Sequence, residues 1–251
     1  RSSSVRNFFK HSNRIGWAKV PMMKSRTSVP CTYVPHYFTD EELTRFFREC
    51  DRYFLDFKKI NKTQYRINRL QVPVYFRLLL STGLRTCEAR WLKRSDVNLE
   101  NGVVDVRKSK GHSEHRIVLG ESALMMLRRY DIAMEAIMPG RTHFFPDTGD
   151  RCHKSRWGWY FFSIIWKRVS QEPAHEYDLR SMYAVLNISK WENHGFELSG
   201  KLLILSRSMG HSSISSTFGY FHLTPMLADK LRRNTSQGFA ELCPSMPSDE
   251  D

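Results

Sequence analysis

The chain has 251 residues, 41% of them hydrophobic and 13% aromatic, which is enough for one large domain with a true core. Its 39 lysines and arginines outnumber its 26 acidic residues, and the resulting charge of +13 favours a polyanionic partner such as nucleic acid. The longest apolar run, residues 72–80, is interrupted by Pro73 and Arg77 and is too short to span a membrane, which argues against a membrane protein.

The amino-terminal 38 residues differ in composition from the rest of the chain. Residues 1–12 place apolar side chains among basic ones, which predicts the end of an amphipathic helix. Residues 13–38 are basic and punctuated by prolines, a composition typical of a linker. The chain begins with Arg1 and no signal-peptide pattern follows, so we expect a fragment of a longer soluble protein.

A folded domain is predicted to begin at Thr39, because Thr39 to Glu42 forms a capping box ahead of a helix. The helix carries apolar residues on one face at Leu43, Phe46, Phe47 and Cys50. A second helix over 67–81 is apolar on most sides, which places it at the centre of the core. Gly83 ends this helix, and a short helix follows over 86–92.

The middle of the chain predicts a β-hairpin. Two β-branched runs, 103–106 and 116–119, flank a basic and mobile connection centred on Gly111. Residues 144–146 predict a strand or a turn. Helical periodicity recurs over 122–134, 157–169, 179–191, 202–209 and 226–233, and an acidic tail follows. We therefore predict an α+β fold that is mostly helical and has one small antiparallel sheet.

Several common chemistries lack their sequence signals. The five cysteines are odd in number, far apart and form no C-x-x-C pair, which argues against disulfides and a zinc site and fits a reducing cytoplasm. The chain contains no P-loop, no G-x-G-x-x-G, no H-E-x-x-H and no G-x-S-x-G. Nucleotide-dependent, zinc-peptidase and standard serine-hydrolase functions therefore lose their usual support.

Single polar residues in the remaining motifs favour structural roles. Arg85 and Arg180 each lie beside a predicted helix end, where an arginine commonly binds helix carbonyls. Tyr220 is flanked by Phe218 and Phe221, so taken alone it predicts a core aromatic residue. Its neighbour His211 follows Gly210, ahead of a run of small hydroxyl residues suited to a turn and a helix start.

The order and spacing of these residues together carry more information than each one alone. Three segments, 82–96, 178–180 and 209–220, resemble the three motif boxes of the tyrosine recombinase family, the phage and transposon integrases. The hairpin supplies a Lys-Gly pair where that family keeps a catalytic lysine. The resemblance implies the catalytic residues Arg85, Lys110, Arg180, His211 and Tyr220.

The resemblance also implies a fold and a division of the chain. The fold is the DNA breaking-rejoining fold of the family's catalytic domain, which we assign to residues 31–235. Residues 1–30 resemble the end of a separate core-binding domain and its linker. Residues 236–251 are then a disordered tail.

The chemistry implied by the resemblance is DNA strand transesterification. Tyr220 attacks a backbone phosphate and forms a 3′-phosphotyrosine, while Arg85, Arg180 and His211 stabilise the charge on the phosphate oxygens. Lys110 protonates the leaving 5′-oxygen. Because the phosphotyrosine conserves the bond energy, rejoining needs no ATP, no metal and no other cofactor.

One position departs from the family pattern. The family has a histidine three residues before the second arginine, and Tyr177 stands there. His175 is two residues too early, and a shift of two residues at the start of a helix turns the side chain away. Tyr177 can bind phosphate but is a poor base near neutral pH, so the residue that deprotonates Tyr220 stays open. In the hairpin, Lys108 is the alternative to Lys110.

The expected partner is double-stranded DNA. The family resemblance implies a homo-oligomer on DNA, a synaptic tetramer, located in the cytoplasm at the bacterial nucleoid, and integration or excision of a mobile element as the role. Two other functions stay open: a type IB topoisomerase-like strand relaxer and a basic DNA-binding domain without activity. Docking of the predicted helix at 225–233 onto a second protomer would favour recombination over strand relaxation.

Overall fold

The computed structural model describes residues 2–19, 33–53, 55, 63–107, 114–190, 197–211, 213–218 and 220. The chain divides into two compact units, residues 1–34 and 35–251. The predicted helix at 226–233 and the tail at 236–251 lie outside the described residues, and the assignment of residues 1–30, 31–235 and 236–251 to domains stays a prediction. None of the helices in the described part of the chain has both the length and the apolar character needed to cross a bilayer.

The first unit contains helix α1, Ser2–Arg14. Its sequence had predicted a helix over residues 1–12. The helix ends in a turn at Gly16, whose φ of +74° lies in the left-handed region that glycine adopts without strain.

The second unit begins with α2, Asp40–Tyr53, and its capping box forms as predicted. The backbone N–H of Thr39 donates to Glu42 Oε2 at 3.0 Å, and the N–H of Glu42 donates to Thr39 Oγ1 at 3.1 Å. Helix α2 then packs on α3, Thr63–Thr82, which contains Pro73 and buries residues on most of its sides. The apolar character of α3 thus correctly predicted its central position.

A small antiparallel sheet follows α4, Thr86–Trp91. Its strands are β1, Val97–Asn98, β2, Val103–Val106, and β3, His115–Val118, in the order β1-β2-β3. The predicted hairpin is β2 and β3. The strand β1 was not predicted, because two residues are too short for a detectable alternation of apolar and polar side chains.

The remaining α-helices of the described residues lie close to the predicted ones, with two exceptions. These helices are α5, Glu121–Glu135, α6, Trp157–Trp166, α7, Asp178–Ser189, α8, Glu197–Ser208, and α9, Ser215–Phe218. The helix predicted over 202–209 begins five residues earlier, at Glu197, and the short helix at Ser215–Phe218 had been predicted only as a helix start. Helix α6 ends three residues before the predicted boundary, in a turn closed by the N–H of Val169 on the carbonyl of Trp166. Residues 144–146 form no strand. Pro146 makes one isolated bridge to Cys152, and the Phe144 carbonyl accepts from Tyr130 Oη at 2.7 Å.

The core is rich in aromatic residues, and α7 lies beside it. Phe46, Phe76, Phe162 and Trp166 pack in edge-on and stacked pairs between α2, α3 and α6. The first turns of α7 join this core, whereas its last turns pack with α8 in a second apolar cluster: Ala184, Ile188, Leu202, Leu205 and Met209. Since α7 is buried on both sides, the residues of its first turn are held firmly in place.

Candidate active site

Arg85 is oriented by the turn between α3 and α4. Gly83 ends α3 with a φ of +65°, and Arg85 occupies the N-cap of α4 in extended geometry. Glu88, whose side chain is fully buried, accepts from the Arg85 backbone N–H at 2.9 Å and from its Nη1 at 2.6 Å. The carboxylate therefore fixes the guanidinium and closes the first turn of α4.

Arg180 lies in the first turn of α7 and is 1% exposed. Its Nη1 donates to the carbonyl of Gly83, and its Nη2 donates to the carbonyl of Met209 at 2.8 Å. A side chain at position 83 would overlap the ring of Tyr183, one turn further along α7. Glycine thus permits the end of α3 to approach α7 closely, and Arg180 joins the end of α3 to the end of α8.

His211 follows Gly210, which ends α8 with a φ of +64°. The Gly210 carbonyl accepts from Arg85 Nη2 at 2.9 Å. The His211 Nε2 lies 2.9 Å from Arg180 Nη2, and its Nδ1 lies 2.8 Å from Thr217 Oγ1. Because a guanidinium can only donate, Nε2 accepts; we therefore assign the imidazole proton to Nδ1, which donates to Thr217.

Tyr220 reaches this cluster within the same chain. Its ring lies 6.0 Å from the His211 ring at an interplanar angle of 20°, and it packs against the apolar cluster of α7 and α8. Burial raises the pKa of Tyr220, while the charge of Arg180, a hydrogen bond from Arg180 and the charge of Arg85 act to lower that pKa. Tyr220 thus lies in the electrostatic field of both arginines.

The other predicted site residues have different positions. Tyr177 lies directly before α7 with 45% of its surface exposed, and it is close enough that its ionised form would raise the pKa of Tyr220. His175 is exposed, and its backbone N–H donates to Asp178 Oδ2 at 2.8 Å. Lys110 and its alternative Lys108 lie outside the described residues. The structure therefore brings four predicted residues together, with Tyr177 at the edge.

Some groups that hold the site in place were not predicted from the sequence: one side chain and three backbone carbonyls. Thr217 is fully buried and holds the His211 ring. Its spacing of six residues after His211, inside the third motif box, was the available signal. The carbonyls of Gly83, Met209 and Gly210 orient the two arginines, but a backbone carbonyl has no signature in a sequence.

The arrangement is suited to an oxyanion beside a tyrosine. Two guanidinium groups and an imidazole are grouped with Tyr220, and Arg85, unlike Arg180, forms a salt bridge with a carboxylate among the described residues. Planar guanidinium groups bind phosphate oxygens through paired hydrogen bonds. Across the described ranges, no three His, Cys, Asp or Glu side chains are grouped so that they could hold a metal ion.

Sequence comparison identifies relatives of the chain. The Phage integrase family matches residues 37–226. The tyrosine recombinase XerD of Proteus mirabilis is 29% identical over 152 residues, which are 58% of this chain and 45% of that protein. The XerC of Chlorobaculum parvum is 27% identical over 206 residues, which are 76% of this chain and 58% of that protein. The chain spans about half the length of the curated relatives it matches.

Solved structures share the fold. The XerA recombinase has a TM-score of 0.59 at 20% identity, over 81% of this chain and 66% of that one. A lambda integrase tetramer bound to a Holliday junction has a TM-score of 0.58 at 15% identity, over 87% of this chain and 57% of that one. These likenesses confirm the mostly helical catalytic-domain fold with a small antiparallel sheet. Since the family match covers more than half of its residues, the chain belongs to the phage integrase family, as the motif boxes had indicated.

Proposed function

We propose that this chain is the catalytic part of a site-specific recombinase or integrase that cleaves and rejoins double-stranded DNA through a 3′-phosphotyrosine at Tyr220. Its role is integration or excision of a mobile element. The observation that best supports the proposal is the position of Tyr220, whose ring lies 6.0 Å from the ring of His211, the residue that accepts from Arg180.

The reaction forms one phosphorus–oxygen bond and breaks another. The Tyr220 oxygen loses its proton and attacks the backbone phosphate, the bond from phosphorus to the 5′-oxygen breaks, and the 5′-oxygen takes a proton. Rejoining reverses these steps with a 5′-hydroxyl as the nucleophile. No external energy source is needed, because the phosphotyrosine keeps the energy of the phosphodiester.

Transition-state stabilisation is assigned to Arg85, Arg180 and His211. The two guanidiniums bind the nonbridging oxygens, and one preorganised donor of this kind contributes about 3 kcal/mol. Arg180 already has fixed carbonyl partners, so its orientation needs no rearrangement when a phosphate arrives. For His211 to act as a donor, its Nε2 must gain a proton when the phosphate binds, because Nε2 accepts from Arg180 in this structure.

Proton transfer to the leaving group is assigned to Lys110, with Lys108 as the alternative in the same hairpin. Tyr177 contributes a hydrogen bond to phosphate rather than a proton acceptor, because tyrosine is a poor base near neutral pH. Its exposed position at the edge of the site suits contact with an incoming DNA strand.

Structures of similar proteins support the proposal that the partners of this chain are double-stranded DNA and further copies of itself. XerH was solved on its difH substrate, and lambda integrase as a dimer on a core site and as a tetramer on a Holliday junction. By analogy, this chain binds double-stranded DNA at the bacterial nucleoid and assembles there as a homo-oligomer, and its charge of +13 suits that partner. A topoisomerase-like relaxer would share the chemistry, but the relatives named above are recombinases and integrases.

The test is incubation of the full protein with a nicked suicide DNA that carries the end sequence of the element. We expect a covalent adduct in a denaturing gel, located by peptide mass analysis on Tyr220 and absent in Tyr220→Phe. The matched control is Tyr160→Phe, a half-exposed tyrosine of α6, which should form the adduct normally. An adduct on another residue, or none on a verified site, would refute the proposal.

A further inference from the structure

The ring of His211 is held from two sides. Its Nε2 lies 2.9 Å from Nη2 of Arg180, and its Nδ1 lies 2.8 Å from Oγ1 of Thr217. The Arg180 Nη2 also donates to the carbonyl of Met209 at 2.8 Å, so this nitrogen keeps a partner even when the imidazole turns. Of the two bonds to the ring, the one to Thr217 therefore controls its orientation more strongly.

The hydroxyl of Thr217 is itself fixed in place. The residue is fully buried in α9, and its backbone N–H donates to the carbonyl of Ile214 at 2.8 Å. Helix α9 packs on α8, the helix after which His211 follows. A threonine in a helix has two favoured rotamers, and this one, being buried, has no solvent to turn toward. The oxygen that faces Nδ1 is thus preorganised.

The bond to Thr217 has a consequence for the proton of the imidazole. A neutral imidazole carries its proton on one nitrogen, and the hydrogen bond made there decides which nitrogen remains an acceptor. With Thr217 as the acceptor at Nδ1, the lone pair of Nε2 faces Arg180. Without that oxygen, the ring gains by turning or by moving its proton to Nε2. Either change removes the hydrogen bond between Nε2 and Arg180.

The same bond connects His211 with the segment of the tyrosine. Thr217 lies three residues before Tyr220, whose ring lies 6.0 Å from the His211 ring at an interplanar angle of 20°. Tyr220 packs in the apolar cluster that also contains Met209, two residues before the histidine. The bond from Nδ1 to Thr217 therefore spans the stretch of chain that brings the histidine and the tyrosine together.

We propose that Thr217 is a positioning residue for strand cleavage: its hydroxyl keeps the His211 proton on Nδ1 and directs Nε2 toward Arg180 and the phosphate. The inference rests on the proposed function and extends it to a buried residue behind the histidine. When a phosphate binds, a proton added at Nε2 turns this nitrogen into a donor, while Nδ1–H stays on Thr217. Misplacement of such a group by about 1 Å can lower a rate by about 10²-fold.

The first measurement is single-turnover cleavage of the nicked suicide DNA by the full protein, Thr217→Val and Thr217→Ser. Valine has nearly the shape of threonine but no acceptor, whereas serine keeps the hydroxyl. We expect Thr217→Val to form the Tyr220 adduct about 10- to 100-fold more slowly and Thr217→Ser to stay within about threefold of wild type. The dissociation constant for DNA, measured in a Tyr220→Phe background, should change less than about threefold, because the phosphate-binding arginines are intact.

The second measurement locates the proton in the protein without DNA. Proton–nitrogen correlation spectra of histidine-labelled protein distinguish the two neutral forms of an imidazole at about pH 8, above the ordinary histidine pKa of about 6.5. The chain has 10 histidines, and the signals of His211 are those that disappear in His211→Gln. We expect the proton on Nδ1 in wild type and in Thr217→Ser, and loss of that pattern in Thr217→Val.

Three results would overturn the inference. Cleavage by Thr217→Val at the wild-type rate would show that His211 does not need the hydroxyl. Slow cleavage with an unchanged His211 spectrum would make Thr217 a packing residue. If Thr217→Ser were as slow as Thr217→Val, the methyl group and not the hydroxyl would matter. If urea unfolding shows that Thr217→Val does not fold, Thr217→Ala replaces it in the same comparison.

The matched control is Thr63→Val, the same change at an exposed threonine at the opposite end of α3 from Gly83. It should leave the cleavage rate and the His211 spectrum unchanged. Failure of the inference can be distinguished from failure of the proposed function. If the wild-type protein forms no adduct at Tyr220, the proposed function fails, and the spectra alone decide where the His211 proton lies. If wild type forms the adduct and Thr217→Val equals it, only the positioning role fails.

Discussion

Arg180 and Arg141 are both buried, with 1% and 4% of their surface exposed, but their surroundings carry different charges. Arg141 contacts the carboxylates of Asp131 and Glu135, the second at 3.2 Å. Asp131 also accepts from Arg94, and although burial alone would raise the pKa of Asp131, hydrogen bonds and charges from the two arginines hold that pKa below its ordinary value. Within the described residues, the acceptors of Arg180 are the carbonyls of Gly83 and Met209 and the imidazole of His211.

The difference distinguishes an arginine that stabilises the fold from one that awaits a ligand. A buried cation without an anion is unfavourable by several kcal/mol, so such a group persists where another function requires it. The charge of Arg141 is neutralised by its own chain. The charge of Arg180 is oriented by neutral groups and stays available to an anion, which under the proposed function is a phosphate oxygen of DNA.

The largest effect should come from Arg180→Lys. We expect the rate of covalent adduct formation to fall about 10²- to 10³-fold, because an ammonium cannot donate to two fixed carbonyls and a phosphate in one plane. The change is measured by single-turnover cleavage of the suicide DNA, with urea unfolding as the check on the fold. If Arg180→Lys cleaved within tenfold of the wild-type rate, the contrast between a structural Arg141 and a functional Arg180 would be wrong.

The reverse result is expected for Arg141→Met. Its removal leaves Asp131 and Glu135 without their buried partner, so the free energy of unfolding should fall by roughly 3 kcal/mol. Cleavage per folded molecule should be unchanged. Arg180→Met is the matched variant, and it should lose less stability than Arg141→Met because no carboxylate loses a buried partner. Equal losses of stability in the two variants would contradict the comparison.

Glu176 extends the comparison to a buried acid. Among the described residues it has no arginine salt bridge of the kind that Asp131 has. Its Oε2 makes no hydrogen bond to any described residue, and burial, opposed by the charge of Arg90, raises its pKa to about 7. Unlike an arginine, it can become neutral by keeping a proton. The folded protein then holds a proton that the unfolded chain releases between about pH 4.5 and 7. The free energy of unfolding consequently falls as the pH rises through that window.

Glu176→Gln should remove this dependence. A folded-state pKa of about 7 against the ordinary 4.5 corresponds to about 3 kcal/mol, so the variant should gain up to that amount over wild type as the pH rises from 4.5 to 7. Urea unfolding at several pH values measures the difference. The control is Glu172→Gln, an exposed glutamate on the same connection, which shows how removal of a surface carboxyl changes the free energy of unfolding. A constant difference for Glu176→Gln would show that Glu176 is ionised when buried.

The smallest effect is expected for Tyr177→His. The family pattern has a histidine at this position, so we expect cleavage to be retained or raised, by no more than about tenfold. The rate is measured on the same suicide DNA, and His175→Ala, two residues earlier and exposed, should behave as wild type. Loss of cleavage in a folded Tyr177→His protein would give Tyr177 a role of its own.

Local features of the fold were predictable to within a few residues. The capping box of α2, the buried helix α3 and its end at Gly83 each depend on neighbouring residues, and each forms as predicted. The two-residue strand β1 and the early end of α6 were missed. Both depend on pairing or packing with distant segments, which periodicity in a short window does not report.

The sequence by itself determined the family, the motif boxes and four of the residues that the structure brings together. A short motif is readable because its spacing fixes which side chains share a turn, as when Arg180 follows the start of α7. The same reading made Tyr220 a candidate nucleophile rather than a core aromatic residue, and that role stays a prediction until the adduct is tested.

Only the tertiary structure decided which groups neutralise or orient each charge. Arg180 binds the carbonyls of Gly83 and Met209, which lie 97 and 29 residues away along the chain. His115 lies against Gly210 because the hairpin packs beside α8. Every residue has a carbonyl, so no residue type reveals which carbonyl will face a guanidinium. That choice depends on backbone angles and on the packing of distant helices, which the fold sets as a whole.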